Sequence, residues 1–256
     1  METFTQLLTQ GTDLTLAIFF GLCVLSFVGS LIAASLGLGG GLLVLATMTL
    51  VLPPAVLIPI HGVVQIGSNG FRALIMMKHV KYTLVPAFVI GTLIGSAIGG
   101  KTVFALENWV LQAVLGVFVL YATWAKGFRS SNPGPGKFFG AGVAGGFATM
   151  FIGGSGPLVA PFVNAACGER QQVVATHATL MTFQHLFKVI AFGVLGFAFG
   201  PYIPLLIGLL LFGMLGTLTG RQILNKLPER VFRVGLQTIL TLLALKLLYE
   251  AIIFHF

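Results

Sequence analysis

The chain has 256 residues, 57% of them hydrophobic and 8% charged, with a mean hydropathy of +1.02. A soluble domain of this length needs a far more polar surface, so the composition excludes one and defines a polytopic membrane protein. The net charge of +8 is assigned to basic loops at one membrane face rather than to nucleic-acid binding.

Met1–Asp13 contains Glu2 and Asp13 and no Lys or Arg. It lacks the positive region of a signal peptide, so the first apolar segment, Leu14–Leu36, is expected to stay in the mature protein. Further apolar segments run Gly41–Leu52, Pro54–Met77, Tyr82–Gly100 and Trp109–Ala125. A polar linker, Lys126–Lys137, contains Asn132-Pro-Gly-Pro-Gly136. Five more segments follow: Phe138–Ile152, Pro157–Ala166, Gln172–Phe199, Ile203–Arg221 and Phe232–Phe254. In both halves the second segment is too short to cross about 30 Å of hydrocarbon at about 1.5 Å per residue. Each first pair therefore reads as a partly re-entrant hairpin. Cys23 and Cys167 lie in or beside apolar segments and read as small buried residues.

The hairpins meet at glycine breaks. Gly37-Leu-Gly-Gly-Gly41 interrupts one apolar run and Gly153-Gly-Ser-Gly-Pro157 another. Glycine is the poorest helix former after proline, so each cluster ends a helix. The segment after the first break carries His61, Gln65, Asn69 and Arg72, which share one face at 3.6 residues per turn. The segment after the second carries His177, His185 and Lys188. Positions 61, 69 and 72 correspond to 177, 185 and 188 at a constant offset of 116 residues. Gly39-Gly-Gly41 aligns with Gly154-Ser-Gly156, and Gly95-x-x-x-Gly99 with Gly216-x-x-x-Gly220. The chain reads as an internal duplication: residues 1–126, a linker 127–137, and residues 138–256.

Lys and Arg set the orientation. Lys78 and Lys81, the linker cations Lys126, Arg129 and Lys137, then Arg170, then Arg221, Lys226, Arg230 and Arg233 mark four loops. Placing all four in the cytoplasm leaves only Lys101 in an outside loop. The halves then have opposite topology and both termini lie outside. The expected fold is an all-α polytopic membrane protein of two inverted repeats, each a glycine-broken re-entrant hairpin followed by three spanning helices. Inverted repeats with helices broken near the midplane are a transporter signature.

A charge deep in a membrane helix costs at least ~2.5–3.5 kcal/mol on insertion scales. Lys188 lies mid-segment. Arg72 is less than two turns from Lys78, so snorkelling to the interface is the competing reading for it. Asp13, Glu107 and Glu250 sit at segment ends or in loops, so no Asp or Glu is expected deep in a span to neutralise either charge; an anionic ligand is the natural counter-ion and any proton coupling must run through histidine or the substrate. Helices restarting at Gly40 or Ser155 present free N–H groups and a positive dipole end, and glycine admits an oxyanion to that backbone. The candidate binding set is Gly39, Gly40, Gly41, His61, Gln65, Asn69, Arg72, Gly154, Ser155, Gly156, His177, His185 and Lys188, with no metal, no cofactor and no catalytic residue.

Gly37-Leu-Gly-Gly-Gly-Leu-Leu-Val44, Gly153-Gly-Ser-Gly-Pro-Leu-Val159 and the two-repeat layout resemble the TauE/SafE sulfite exporter family, also called the 4-toluenesulfonate uptake permease family. The resemblance covers nearly the whole chain. It implies transport of sulfite, sulfonates or related small sulfur anions across a bacterial cytoplasmic membrane. The expected partners are therefore a small sulfur-containing anion and the lipid bilayer, with no nucleic acid; the sequence specifies no oligomer. Two other readings stand beside it. An anion channel could use the same site. Gly153-Gly-Ser-Gly156 also contains a Gly-x-Ser-Gly pattern, so an intramembrane serine protease could use Ser155 with His177 or His185 as base.

Overall fold

The computed structural model describes residues 8–9, 12, 14–36, 39–103, 106–124, 133–223 and 229–253. Gly37, the acidic residues Glu2 and Asp13, and the linker positions Lys126, Arg129 and Asn132 lie outside them, as does Lys226. Ten α-helices and no strands are present among the described residues. They are α1 (Leu16–Leu36), α2 (Gly40–Met48), α3 (Pro54–Ile75), α4 (Val85–Val103), α5 (Asn108–Trp124), α6 (Pro135–Ile152), α7 (Gly156–Ala166), α8 (Arg170–Val194), α9 (Ile203–Ile223) and α10 (Glu229–Ile253).

Among the described residues, four stretches are long and apolar enough to cross a membrane: Leu16–Ser35, Tyr82–Val103, Gly200–Gln222 and Val234–Ile253. The chain is a multi-pass membrane protein. With nine and eleven residues, α2 and α7 reach only about 14 and 17 Å. α3 and α8 have 22 and 25 residues, long enough to span, but their polar faces dilute the hydropathy. Those faces are buried: His61, Gln65, Asn69, Arg72, His177, Gln184, His185 and Lys188 are all at most 7% exposed.

Several boundaries differ by a few residues from the sequence reading, two of them for evident local reasons. α6 begins at Pro135 rather than Phe138, because proline suits the first helical turn, where its missing N–H is not needed. α8 stops at Val194 rather than running to Phe199. Gly196 takes a left-handed φ of +97°, and Phe197 N–H closes back on Phe192 O at 2.9 Å. That is a glycine C-terminal stop.

Helix pairing follows the glycines. α4 packs most extensively on α6, and α1 on α9. A Cβ at Gly95 would fall 2.1 Å from Val143 O, and one at Gly216 would fall 2.1 Å from Phe27 O. Gly99 and Gly220 repeat this one turn on, against Phe147 O and Leu31 O. Numbering rises together in both pairs, so each is parallel, with backbone on backbone. α3 and α8 cross antiparallel at the centre: Gly62 abuts Lys188 and Val189, whereas Gly70 abuts Thr182. α5 and α10 are also antiparallel, with Trp124 Nε1 donating to Thr241 Oγ1 at 2.9 Å and Gly116 against Leu248.

Candidate functional site

The two glycine breaks, the polar faces of α3 and α8, and the α5–α10 pair enclose a cavity of about 400 Å³. Gly39, Gly41, His61, Gln65, Asn69, Arg72, Gly154, Gly156, His177 and His185 all line it. Ten of the thirteen residues singled out in the sequence are thus on one wall. Gly40, Ser155 and Lys188 are not among the lining residues. The rest of the wall is mostly apolar or small, including Leu42, Leu45, Met181 and Leu240, with Tyr121, Thr123, Asn164 and Gln237 as its further polar members.

The i, i+4 and i, i+3 spacing on α3 becomes a hydrogen-bonded chain. Gln65 Nε2 meets His61 Nε2 at 3.1 Å, and Asn69 Nδ2 donates to Gln65 Oε1 at 2.8 Å. Arg72 donates from one terminal nitrogen to Asn69 Oδ1 at 3.3 Å and from the other to Ser68 Oγ at 3.2 Å. Its Nε is buried with no partner. Arg72 therefore does not snorkel; it folds back along its own helix, 3% exposed, on the cavity wall. No carboxylate pairs with it or with Lys188 among the described residues; the ion pair seen there, Lys246 with Glu250, is on α10.

The histidines grip the breaks in matching ways. His61 Nε2 lies 3.0 Å from Gly41 O, and His177 Nε2 lies 3.2 Å from Gly156 O. These are equivalent pairs in the two halves. His61 Nδ1 also reaches Gly153 O at 3.1 Å, so one ring ties both breaks together. Gly154 sits between histidines: a Cβ there would lie 3.6 Å from His61 Cε1 and 3.8 Å from His185 Cε1. Gly39 and Gly153 have φ of +94° and +69°, a left-handed geometry that favours glycine.

The start of each broken helix borders the same space. The first helical bonds of α2 and α7 are Leu43 N–H to Gly39 O and Val159 N–H to Ser155 O. The amides of Gly41 and Gly156, both on the cavity wall, precede those bonds, and neither helix has a side-chain cap. Gly40 serves a different end: its Cβ would fall 1.8 Å from Gly29 O, so its bareness lets α2 lie against α1.

Ser155 is fully buried and donates to Gln184 Oε1 at 2.9 Å. Lys188 is fully buried too, donating to Gly153 O at 2.6 Å. Sequence reasoning passed over Ser68 and Gln184, although the offset of 116 maps one onto the other. It also passed over the cover supplied by Tyr121 and Thr123 on α5 and Gln237 on α10, and over Asn164 on α7. Gln237 Nε2 donates to Thr123 O at 3.3 Å across that cover.

A guanidinium flanked by amide and imidazole side chains and two glycine breaks, with no carboxylate among the lining residues, is chemistry that suits a small anion. Comparisons with curated proteins and with solved structures gave no match. The family model described as "Sulfite exporter TauE/SafE" matches residues 22–247. Its range takes in both glycine breaks, both polar-faced helices and the α5–α10 cover, so the chain belongs to the sulfite exporter TauE/SafE family.

Proposed function

We propose that the protein is a secondary transporter that exports a small sulfur oxyanion, such as sulfite or an organosulfonate, across the cytoplasmic membrane. The observation that carries this is Arg72: a buried guanidinium on the cavity wall with an unpartnered Nε and no carboxylate beside it. An anion seated there relieves the cost of the bare charge. Arg72, Asn69, Gln65 and His177 would hold its oxygens together with the amides of Gly41 and Gly156. His61 and His185 close the floor with Gly39 and Gly154. Gly40 and Ser155 support that floor from behind, and Lys188 supplies a second positive charge on the route.

The same reading takes residues 1–126 and 138–256 as inverted repeats joined by a cytoplasmic linker, with both termini outside and each glycine break re-entrant. The antiparallel crossing of the equivalent helices α3 and α8, and of α5 and α10, supports it. So does the exchange of partners, α4 with α6 and α1 with α9. Export requires little coupling, because a negative interior favours anion exit by ~2.3 kcal/mol per charge per 100 mV.

The alternatives fit less well. A channel needs a continuous path, and beyond the cavity floor the chain packs Leu57, Ile58, Ile60, Met150 and Phe192 into a core. A protease needs a base on its serine, and the Ser155 hydroxyl is committed to Gln184. The deciding experiment has two parts. One is a thermal-shift screen of the purified protein against sulfite, sulfate, thiosulfate, sulfonates and carboxylates. The other is counterflow in proteoliposomes. Stabilisation by sulfite or a sulfonate with trans-stimulated exchange is expected. Stabilisation by none of the sulfur anions overturns the reading.

A further inference from the structure

We propose that the protein holds a second anion station, formed by Gln184, His185 and Lys188 and closed in this structure, with His185 shared between it and the wall of the cavity that Arg72 lines. The inference rests on the anion-transport reading above and adds a site to it.

The offset of 116 residues maps Ser68, Asn69 and Arg72 onto Gln184, His185 and Lys188. The first trio stands at the open cavity, where Asn69 and Arg72 form part of the wall and Ser68 braces the guanidinium. In the second, only His185 reaches that wall. Gln184 and Lys188 are completely buried. Because α3 and α8 run antiparallel, equivalent positions fall toward opposite ends of the crossing. Arg72 is toward the end where α8 begins, and Lys188 is toward the end where α3 begins.

Between the two stand His61 and His185, with ring centroids 5.8 Å apart and planes at 82°. Both line the cavity floor, and Lys188 lies past them. A Cβ at Gly62 would fall 2.7 Å from Lys188 Cε, so the bare glycine makes room for the lysine stem at this depth.

The second trio has unmet hydrogen-bonding capacity. Gln184 accepts from Ser155 with its oxygen, leaving Nε2 buried without a partner. His185 Nδ1 is buried without a partner as well. Lys188 has three N–H donors and one acceptor, Gly153 O. Buried N–H groups with nothing to donate to are costly, and here an amide and an ammonium sit one helical turn apart. A small oxyanion satisfies both. The Gly153 carbonyl holds the ammonium in the meantime. An anion handed from Arg72 past the two histidines would draw Lys188 off that carbonyl, so opening of the second station accompanies closure of the first.

The test separates holding the anion from moving it. Binding of radiolabelled sulfite, and in parallel of ethanesulfonate, is measured at equilibrium in detergent and by counterflow in proteoliposomes. The proteins are the parent, Arg72→Met, Lys188→Met and Gln184→Leu. Arg72→Met is expected to lose binding at least tenfold. Lys188→Met and Gln184→Leu are expected to bind within threefold of the parent and to lose counterflow at least tenfold. If Lys188→Met does not fold, Gln184→Leu, which removes no charge, reports the same split. Loss of binding in Lys188→Met or Gln184→Leu as large as in Arg72→Met means one shared station; it overturns this inference and leaves the transport reading standing. Parental counterflow in either of these variants also overturns it. If the parent binds neither anion, the transport reading falls, and this inference with it.

Discussion

His61 and Lys188 converge on one carbonyl: Gly153 O lies 3.1 Å from the imidazole Nδ1 and accepts from the ammonium at 2.6 Å. The two side chains come from the central helices of the two halves, and the carbonyl caps α6 at the second glycine break. His61 spends its other nitrogen on Gly41 O at the first break. A single imidazole is therefore the tie between the two breaks. His61→Leu removes the one N–H that a neutral imidazole shares out between the two carbonyls, and Gly153 O keeps Lys188, so the loss is about 1–3 kcal/mol for one buried group. The expected outcome is a lower thermal midpoint for the detergent-purified protein, with a smaller fall for His61→Gln. A parental midpoint in His61→Leu contradicts the tie.

In the proposed site Arg72 offers a planar fork of donors, not a point charge alone. Ser68 and Asn69 orient the guanidinium, each from within its own helix. A charge-assisted hydrogen bond is worth about 1.5–3 kcal/mol. Arg72→Met is therefore expected to weaken sulfite binding by about 10- to 100-fold while the protein stays folded. Arg72→Lys should recover only part, because an ammonium lacks the planar pair of donors. Titration calorimetry of the three proteins checks the order; equal affinity in all three removes Arg72 from the site.

The glycines of the parallel pairs admit no side chain. Gly95→Ala and Gly216→Ala each place a methyl about where a carbonyl oxygen of the partner helix stands. Overpacking of this kind costs about 1–3 kcal/mol, and more where backbone cannot yield. Both variants should lose yield of monodisperse protein. Gly140→Ala is the control, since nothing lies within 4 Å of a Cβ there. Size-exclusion profiles after detergent extraction decide the matter.

Orientation is testable by thiol labelling, because Cys23 and Cys167 are both buried. In intact cells an impermeant maleimide should modify Lys101→Cys and spare Asn132→Cys. After lysis it should modify both. Labelling of position 132 in intact cells is incompatible with the inverted arrangement.

Much of this was legible in the sequence because membrane helices declare themselves by length and hydropathy. The apolar segments reproduce the helices to within a few residues, and two of the misses have local causes: proline at the start of α6 and Gly196 at the end of α8. The polar face of α3 followed from 3.6-residue spacing alone, and the structure turns it into the chain from His61 to Arg72. What periodicity does not carry is depth along the crossing. Arg72 and Lys188 look equivalent by offset, yet only Arg72 reaches the cavity. Glycines are equally mute. Gly40 and Gly41 are neighbours, one pressed on α1 and the other facing Gln65, and no side chain signals which is which. Tyr121, Thr123 and Gln237 join the site only because α5 and α10 fold over it.

The exchange of partners between halves sets the order of biogenesis. α4 finds α6 within a short stretch of newly made chain, so that pair can zip as soon as α6 leaves the ribosome. α1 must wait for α9, made late in the chain, before Phe27 and Leu31 meet Gly216 and Gly220. Until then its contact face stands against lipid or a chaperone. α1 and α4 find their main neighbours, α9 and α6, on the far side of the linker, so the chain before the linker lacks the contacts it needs to fold alone. Cutting the chain between positions 125 and 132 should yield fragments that are degraded when expressed singly and that reassemble when made together.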